Sequence, residues 1–461
     1  MDVIEQMRLF QEPRSIALIG ASRRTGDGDN VLENLIAYGD QGKLYPVNPN
    51  AQEILGVKVY HSVADLPVVP DMALVSTPRD TLPQVVGDCV ARGIKAITIV
   101  AQGLADADEE GRRIQEQVVD IARRGGARVV GPNSFGVANA FINLNTAFVP
   151  FKMEKIPVGS IAQSGFLFGG APRMRMIGKG FDLGNACDVH FVDALEYYGA
   201  DPEVKIIVMY TETIPDGRGF MEVASRISKS KPIIAVKGGT TPLGARLTQS
   251  HTGSLAGQNE VYRAAFKQAG IIQAMDLDEM EDLVYSFMYL PPLRGRRVGI
   301  MTNAMGAGVL AADACGRHGL ELAPLSPGTL KKVSEVQFPW LEPGNPVDMG
   351  PAGFSSHGMW GGYRHCLEAL LDDENTDVVV VISPGTPNGD PTFPAFVAQA
   401  KEAHPDKGVA AWVFSVDVGE ELANRFINIG KVPAYRTLDR AMMAISRVVS
   451  YWERRDGADG A

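Results

Sequence analysis

The sequence predicts an α/β chain of three doubly wound, parallel-sheet domains, and three observations carry that expectation. Short β-rich apolar runs alternate with longer mixed stretches of helical character, which is the signature of repeated βαβ units. The runs are apolar throughout instead of alternating, as parallel strands covered on both faces are. The length of 461 residues accommodates about three domains of ~150 residues each.

Ser15–Ile19, Met72–Val75, Ala96–Val100 and Arg128–Val130 read as strands of a first sheet. Gly159–Ala162, Lys205–Tyr210 and Pro232–Val236 read as a second set, and Arg297–Met301, Asp377–Ile382, Val409–Phe414 and Val432–Tyr435 as a third. Breaks at Val149–Lys152 and at Pro291–Gly295 place the expected domains at 1–150, 151–293 and 294–461. Each shares one plan, a strand followed by a glycine turn and a helix, with Gly20, Gly165 and Gly306 in the turns. No short-period repeat is visible. Asp456–Ala461 is expected to fray.

Composition narrows the function. Hydrophobic residues make up 45 % and charged residues 21 %, a globular profile. The net charge of −10, with acids scattered along the chain, argues against a nucleic-acid partner, which needs a basic surface. Cys89, Cys187, Cys315 and Cys366 lie far apart with no CxxC pair, so neither zinc nor a disulfide framework is indicated. Isolated thiols fit a reducing cytoplasm. Met1–Phe10 holds charges and no apolar core of a signal peptide, and no run approaches the ~18 apolar residues of a membrane helix.

Four segments carry candidate chemistry. Ile19–Gly26 follows the first strand, where doubly wound sheets bind ligands, and backbone N–H groups there suit a phosphate. Its spacing is not GxGxxG, while Arg23 and Arg24 add positive charge; the alternative is an ordinary strand–helix turn. Ile161–Leu167 again gives way to a small-residue turn and a helix start, an anion hole or merely a packing glycine. Gln249–Gly257 sets His251 among Ser, Thr and Gly, poor material for a core and good material for a loop approaching a phosphate. Glu212 falls at the end of the Lys205–Tyr210 strand. There a carboxylate can fix an imidazole tautomer and stabilise its cation, or simply begin a helix.

Taken together these residues resemble the NDP-forming acyl-CoA synthetases, relatives of succinyl-CoA synthetase, from about Glu12 to Trp452. Pro13–Ser22 looks like the family's CoA-binding opening. Tyr45–Pro49, Gly131–Gly136 and Asn345–Asp348 look like further landmarks, Gln163–Gly165 like its phosphate cradle, and Ser250–Gly253 like its phosphohistidine loop. The resemblance implies a Rossmann-like CoA-binding domain followed by two flavodoxin-like domains of succinyl-CoA-synthetase type. It implies an alpha subunit that joins a carboxylic acid to CoA while ATP is split to ADP and phosphate. His251 would carry the phosphoryl group and Glu212 would support its imidazole. Gln163, Ser164, Gly165, Thr252 and Gly253 would hold phosphate. Gly20, Ala21, Ser22, Arg23, Val47, Asn48, Pro49, Thr77 and Pro78 would line the CoA site. It further implies a separate ATP-grasp beta chain that binds ATP with Mg2+, in an α2β2 assembly or around a homodimer of alpha chains, with no resident metal in this chain.

Ala162, Asp182, Thr213 and Met305 depart from the family's pattern close to the expected acyl and phosphate region. They point to a bulkier acid, aromatic or branched, and kinetics with a panel of acids test that, acetate as the best substrate refuting it. Two other classes compete: a CoA-binding scaffold of the same fold without activity, and a Rossmann dehydrogenase. Retention of both His251 and Glu212 counts against the first. The absent GxGxxG and the lack of a ribose-binding acid count against the second.

Overall fold

Strand composition sets the architecture of the computed structural model, which describes residues 1–24, 30–37, 39, 43–149, 151, 153–169, 177–252, 259–350, 360–383, 392–414, 419–429 and 431–458. It divides into two units, Met1–Met275 and Asp276–Ala461.

The first unit holds two large sheets. The strands of the first region are β1 (Ile16–Ile19), β2 (Leu44–Val47), β3 (Glu53–Ile54), β4 (Val57–Lys58), β5 (Met72–Val75), β6 (Ala96–Ile99) and β7 (Arg128–Val130). β3 and β4 form a separate antiparallel pair; the rest make a parallel sheet in the order β2-β1-β5-β6-β7. Every residue of β1, β5 and β6 is buried, which is why these runs show no alternation. β2 contains Pro46, which lacks an N–H and is tolerated because this strand lies at the sheet edge. Ile19 pairs with both Val47 and Val75, so three strands end level. The chain steps from β1 to β2 on one side and then crosses to β5 on the other, leaving a crevice at the carboxyl ends.

The second sheet contains β8 (Gly136–Asn139), β9 (Leu144–Asn145), β10 (Val158–Ala162), β11 (Lys179–Asp182), β12 (Ile206–Thr211), β13 (Ile233–Lys237) and β14 (Ile272–Ala274). Its order is β14-β13-β12-β10-β11-β8-β9. It is parallel except at one edge, where β8 runs antiparallel to β11 and β9 antiparallel to β8. Residues from 136 onward therefore already belong to this sheet, ahead of the break expected near 150. The switch point falls between β10 and β12. Lys179, at the start of β11, is buried because Asp201 (2.6 Å) and Glu203 (2.7 Å) receive its ammonium. The helix Val3–Gln11 joins the two sheets. Met7 and Phe10 enter a core shared with Phe181 and Tyr197, Gln11 donates its side-chain amide to Gly180 O at 2.7 Å, and Asn139 donates to Gln11 O at 2.9 Å.

The second unit is built on β15 (Arg297–Thr302), β16 (Glu321–Leu322), β17 (Val347–Asp348), β18 (Val378–Ser383), β19 (Gly408–Val413) and β20 (Ala434–Tyr435). The order is β16-β15-β18-β19-β20, with β17 also pairing to β15, all parallel. Helix Leu277–Tyr289 belongs to this unit and packs on helix Leu438–Ala458. Ser286 Oγ meets the Tyr435 hydroxyl at 2.8 Å, and Arg440 Nε donates to Asp282 at 2.5 Å. Of the stretch Asp456–Ala461 expected to fray, residues 456–458 end the helix and Arg294 pairs with Asp456 at 3.0 Å, while 459–461 lie outside the described residues.

Candidate functional site

Two carboxyl edges in the first unit gather the residues singled out by sequence. At the first, Gly20 adopts φ +84°, and a Cβ there would lie 2.9 Å from Thr77 Cγ2. Both Gly20 and Ala21 donate their N–H groups to Val47 O, at 3.0 and 3.3 Å. Asn48 donates its amide to Ala21 O at 2.9 Å and accepts from Asn50 N at 2.8 Å. Ser22 Oγ accepts from Arg24 N at 3.1 Å, and Arg23 and Arg24 are exposed. Thr77 and Pro78 follow β5 across the crevice, where Thr77 accepts the Thr81 hydroxyl at 3.0 Å. The residues expected around a CoA molecule thus lie at three level strand ends, and the backbone runs close where a side chain on Gly20 would intrude.

Sequence reasoning missed two supports of this edge. Asn30 is buried, donates to Arg24 O at 2.6 Å and Ser22 O at 3.3 Å, and accepts from Leu32 N at 2.9 Å to start the helix Val31–Ala37. Ser76 donates to Gly20 O at 3.1 Å. An asparagine preceding an apolar helical run is the sequence signal that marks Asn30.

At the second edge, Gln163 follows β10 and Glu212 follows β12, on opposite sides of the switch point. Gln163 is 5 % exposed. Its Oε1 accepts from Glu212 N at 2.6 Å, Thr213 N at 2.8 Å and the Thr211 hydroxyl at 3.2 Å, while its Nε2 donates to Thr213 Oγ1 at 3.2 Å. Its own N–H donates to Tyr210 O at 3.2 Å. Gln163 was expected as a phosphate contact. Its side chain and backbone N–H both hold the strand end that presents Glu212. Thr213, a departure from the family pattern, supplies the hydroxyl of this clamp.

Ser164 and Gly165 lead into the helical turn Phe166–Gly169. A Cβ on Gly165 would lie 2.6 Å from the Phe135 ring, so glycine is what lets that ring close on the turn. Phe166 meets Tyr210 edge-on at 4.7 Å between centroids.

Glu212 is buried and accepts the Tyr210 hydroxyl at 3.1 Å. Burial, then the Glu212 carboxylate, pushes the Tyr210 phenol well above its ordinary range, so it stays a donor. Lys237 ends β13, is buried, and stands 4.6 Å from the Tyr262 ring centroid. Burial lowers its pKa and the Glu212 charge opposes that shift. Tyr262 in turn accepts from Ile214 N at 3.1 Å. A Cβ on Gly238 would meet Tyr210 Oη at 2.7 Å and Glu212 Cγ at 3.3 Å, so this residue must be bare for the carboxylate to sit where it does.

Thr241, which accepts Gly244 N at 3.1 Å, and Pro242 then open a helix that runs Pro242–Thr252. The loop expected over Gln249–Gly257 is therefore helical as far as Thr252, because Ala245, Arg246 and Leu247 favour the helix entered at Pro242. His251 lies in its last turn. The side chains of His251 and Thr252, and the whole of Gly253, lie outside the described residues.

Asp182, at the end of β11, is fully buried. It accepts from Phe135 N at 2.6 Å and Gly184 N at 3.4 Å; burial pushes its carboxyl up to about 7, against the pull of those two N–H groups. Among the described residues no helix is long and apolar enough to cross a membrane, and no cluster of three His, Cys, Asp or Glu side chains suits a metal ion.

The chain is similar to known proteins along nearly its whole length. Residues 14–140 match the family described as CoA binding domain, and residues 157–287 match the succinyl-CoA ligase like flavodoxin domain. The chain is 37 % identical to the acetate–CoA ligase [ADP-forming] II subunit alpha of Pyrococcus furiosus, over 92 % of this chain and 93 % of that one. It is 33 % identical to acetate–CoA ligase [ADP-forming] II of Archaeoglobus fulgidus, over 98 % of this chain and 68 % of that one. In structure it resembles the dinucleotide forming acetyl-coenzyme A synthetase 1 of Ca. Korarchaeum cryptofilum in complex with phosphate and ADP, with a TM-score of 0.87, 32 % identity and 98 % of each chain covered. CoA-binding and succinyl-CoA-ligase-like modules in tandem, together with this likeness along nearly the whole chain, place it in the family of ADP-forming acyl-CoA ligases, as a chain of the alpha-subunit type.

Proposed function

We propose that the chain is the acyl-transferring half of an ADP-forming ligase that works through a phosphohistidine at His251. The observation that supports this reading best is the buried Glu212 carboxylate at the second switch point. Gln163 holds it from one strand and the Tyr210 hydroxyl from beside it, and the helix bearing His251 begins a few residues after β13.

The chemistry divides into three displacements. A His251 nitrogen attacks the γ-phosphorus of ATP; the N–P bond forms, the P–O bond to ADP breaks, and Glu212 stabilises the imidazolium character that develops. The carboxylate of the acid then takes the phosphoryl group from His251, giving an acyl phosphate and restoring neutral imidazole. The CoA thiolate attacks the acyl carbon, the thioester forms, and inorganic phosphate leaves. Ser164 and Gly165, at the start of a helical turn, offer backbone N–H groups to the phosphate at this edge. Gly20, Ala21, Ser22, Arg23, Asn48 and Thr77 hold CoA at the first edge, with Arg23 facing its phosphates. Splitting the reaction this way lets a nucleotide bound elsewhere drive acylation beside CoA.

ATP, with Mg2+, is bound by a separate ATP-grasp beta chain in an α2β2 assembly. The Archaeoglobus relative, of which this chain matches 68 %, extends beyond the matched region, which supports a further portion working with this one. The test is to combine the chain with its beta partner, labelled ATP and Mg2+, and to look for an acid-labile, base-stable label. Label that disappears in His251→Ala supports the relay. Absence of label in the wild type, with the partner shown to bind ATP, overturns it in favour of a CoA-binding scaffold.

A further inference from the structure

We propose that Lys237 is a further catalytic residue, whose buried ammonium takes the phosphoryl oxygens while Glu212 takes the imidazole that carries them. This rests on the phosphohistidine reading and adds to it the group that receives the phosphoryl charge.

Lys237 is 5 % exposed and Glu212 is 6 % exposed. Lys237 closes β13 and pairs in register with Thr211, the residue before Glu212, so a buried cation and a buried acid stand on adjacent, level strand ends. Gly238 lies between them, where a Cβ would approach Glu212 Cγ to 3.3 Å. The chain turns at Gly239, with φ +69°, and the helix bearing His251 comes back to this point: a Cβ on Gly239 would lie 2.5 Å from Thr248 Oγ1.

The partners of Lys237 do not balance its charge. Lys179, the other lysine buried this deeply, has Asp201 at 2.6 Å and Glu203 at 2.7 Å. Lys237 donates to its neighbour Gly238 O and stands 4.6 Å from the centroid of the Tyr262 ring, and among the described residues it has no carboxylate within ion-pair distance. Tyr262 is itself fixed, accepting from Ile214 N at 3.1 Å. A carbonyl and a ring face attract an ammonium but do not neutralise it, and a buried charge is costly unless paired. Burial accordingly lowers the Lys237 pKa, against the pull of the Glu212 charge.

An acid and a cation near each other but not in contact suit a group that is itself dipolar. A phosphorylated imidazole carries an N–H on one nitrogen and a phosphoryl dianion on the other. The carboxylate recognises the first end and the ammonium the second. When the substrate carboxylate attacks phosphorus, the O–P bond forms and the electrons of the N–P bond return to the imidazole nitrogen. Lys237 keeps its proton throughout and offsets the repulsion between the two approaching anions.

The test uses the full chain with its beta partner, comparing wild type with K237M and K237R. The readouts are single-turnover labelling of His251 from labelled ATP and Mg2+ across a range of ATP concentrations, and the midpoint of thermal unfolding. K237M is expected to label ~10²-fold more slowly at saturating ATP, with half-saturating ATP within about twofold of wild type, since the nucleotide is held by the partner. Its midpoint stays within about 2 °C of wild type or rises, because a buried unpaired charge is gone. K237R, which keeps the charge, recovers much of the rate. If K237M does not fold, K237Q replaces it in the same comparison. Labelling by K237M at the wild-type rate overturns the proposal. So does an equal loss of rate in K237M and K237R with a lowered midpoint in both, which would leave Lys237 only the task of holding the Gly238 turn. A wild type that takes no label, with the partner shown to bind ATP, removes the phosphohistidine reading and the proposal with it.

Discussion

Replacing Gln163 with leucine tests whether this residue positions Glu212. The carboxamide oxygen receives the N–H groups of Glu212 and Thr213 and the Thr211 hydroxyl within 3.2 Å, at a site 5 % exposed. Leucine leaves two buried backbone donors without an acceptor, each costing about 1–3 kcal/mol. The added apolar burial offsets roughly 1 kcal/mol of that, leaving a net loss of about 1–5 kcal/mol. For a unit of this size that lowers the midpoint of thermal unfolding by roughly 2–15 °C. The freed strand end lets Glu212 drift, and ATP-dependent labelling of His251 falls ~10²-fold. Gln163→Glu retains the acceptor, and Thr213 can turn its hydroxyl to donate, so much of the stability returns. Its added charge beside Glu212 still slows labelling. CoA affinity, set at the other sheet, stays at the wild-type value. Differential scanning calorimetry and single-turnover labelling read both effects. A leucine variant that melts within about 1 °C of wild type and labels at the wild-type rate would refute the positioning role.

Other outcomes follow from the same contacts. Gly165→Ala drives a methyl into the Phe135 ring and is expected to cost about 1–3 kcal/mol; adding Phe135→Leu should recover much of it, as unfolding in denaturant will show. Glu212→Gln keeps the Tyr210 hydrogen bond but removes the charge. Labelling should fall ~10²-fold with CoA binding intact, and an unaffected rate would exclude Glu212 from the reaction. Asp182 has a folded pKa near 7, above its unfolded value, so its contribution is full at acid pH and is lost as pH rises toward about 7. Asp182→Asn should remove that slope, a difference of ~4 kcal/mol at most between the two ends, measured by stability as a function of pH. Gly20→Ala, at φ +84° and 2.9 Å from Thr77, should weaken CoA binding roughly tenfold in a titration while leaving Glu212 and its neighbours untouched.

The strands that were legible are those where composition and burial agree. Ile16–Ile19, Met72–Val75 and Val378–Ser383 are apolar and wholly buried, so pattern alone finds them. β11 was missed because it begins with Lys179 and ends with Asp182, residue types that belong outside unless paired. Its partners Asp201 and Glu203 arrive from a later turn of chain. β2 was masked by Pro46, and β8 and β9 by their polar ends, each tolerable only at or near a sheet edge that sequence does not reveal.

The candidate site divides along the same line. The sequence by itself determined where the candidate residues fall: Gly20 after β1, Gln163 after β10, Glu212 after β12, and His251 in a run of small residues. These follow from local composition, since a strand's end and a turn's glycine are properties of a few neighbouring residues. Tertiary structure alone decided that Gln163 clamps Thr211, Glu212 and Thr213, some 50 positions away, that Tyr210 donates to Glu212, and that Gly165 is bare to admit Phe135. The physical reason is register. Pairing Ala162 with Tyr210 brings two strand ends level whatever their separation in sequence, and a buried polar group then bonds whichever neighbour that alignment supplies.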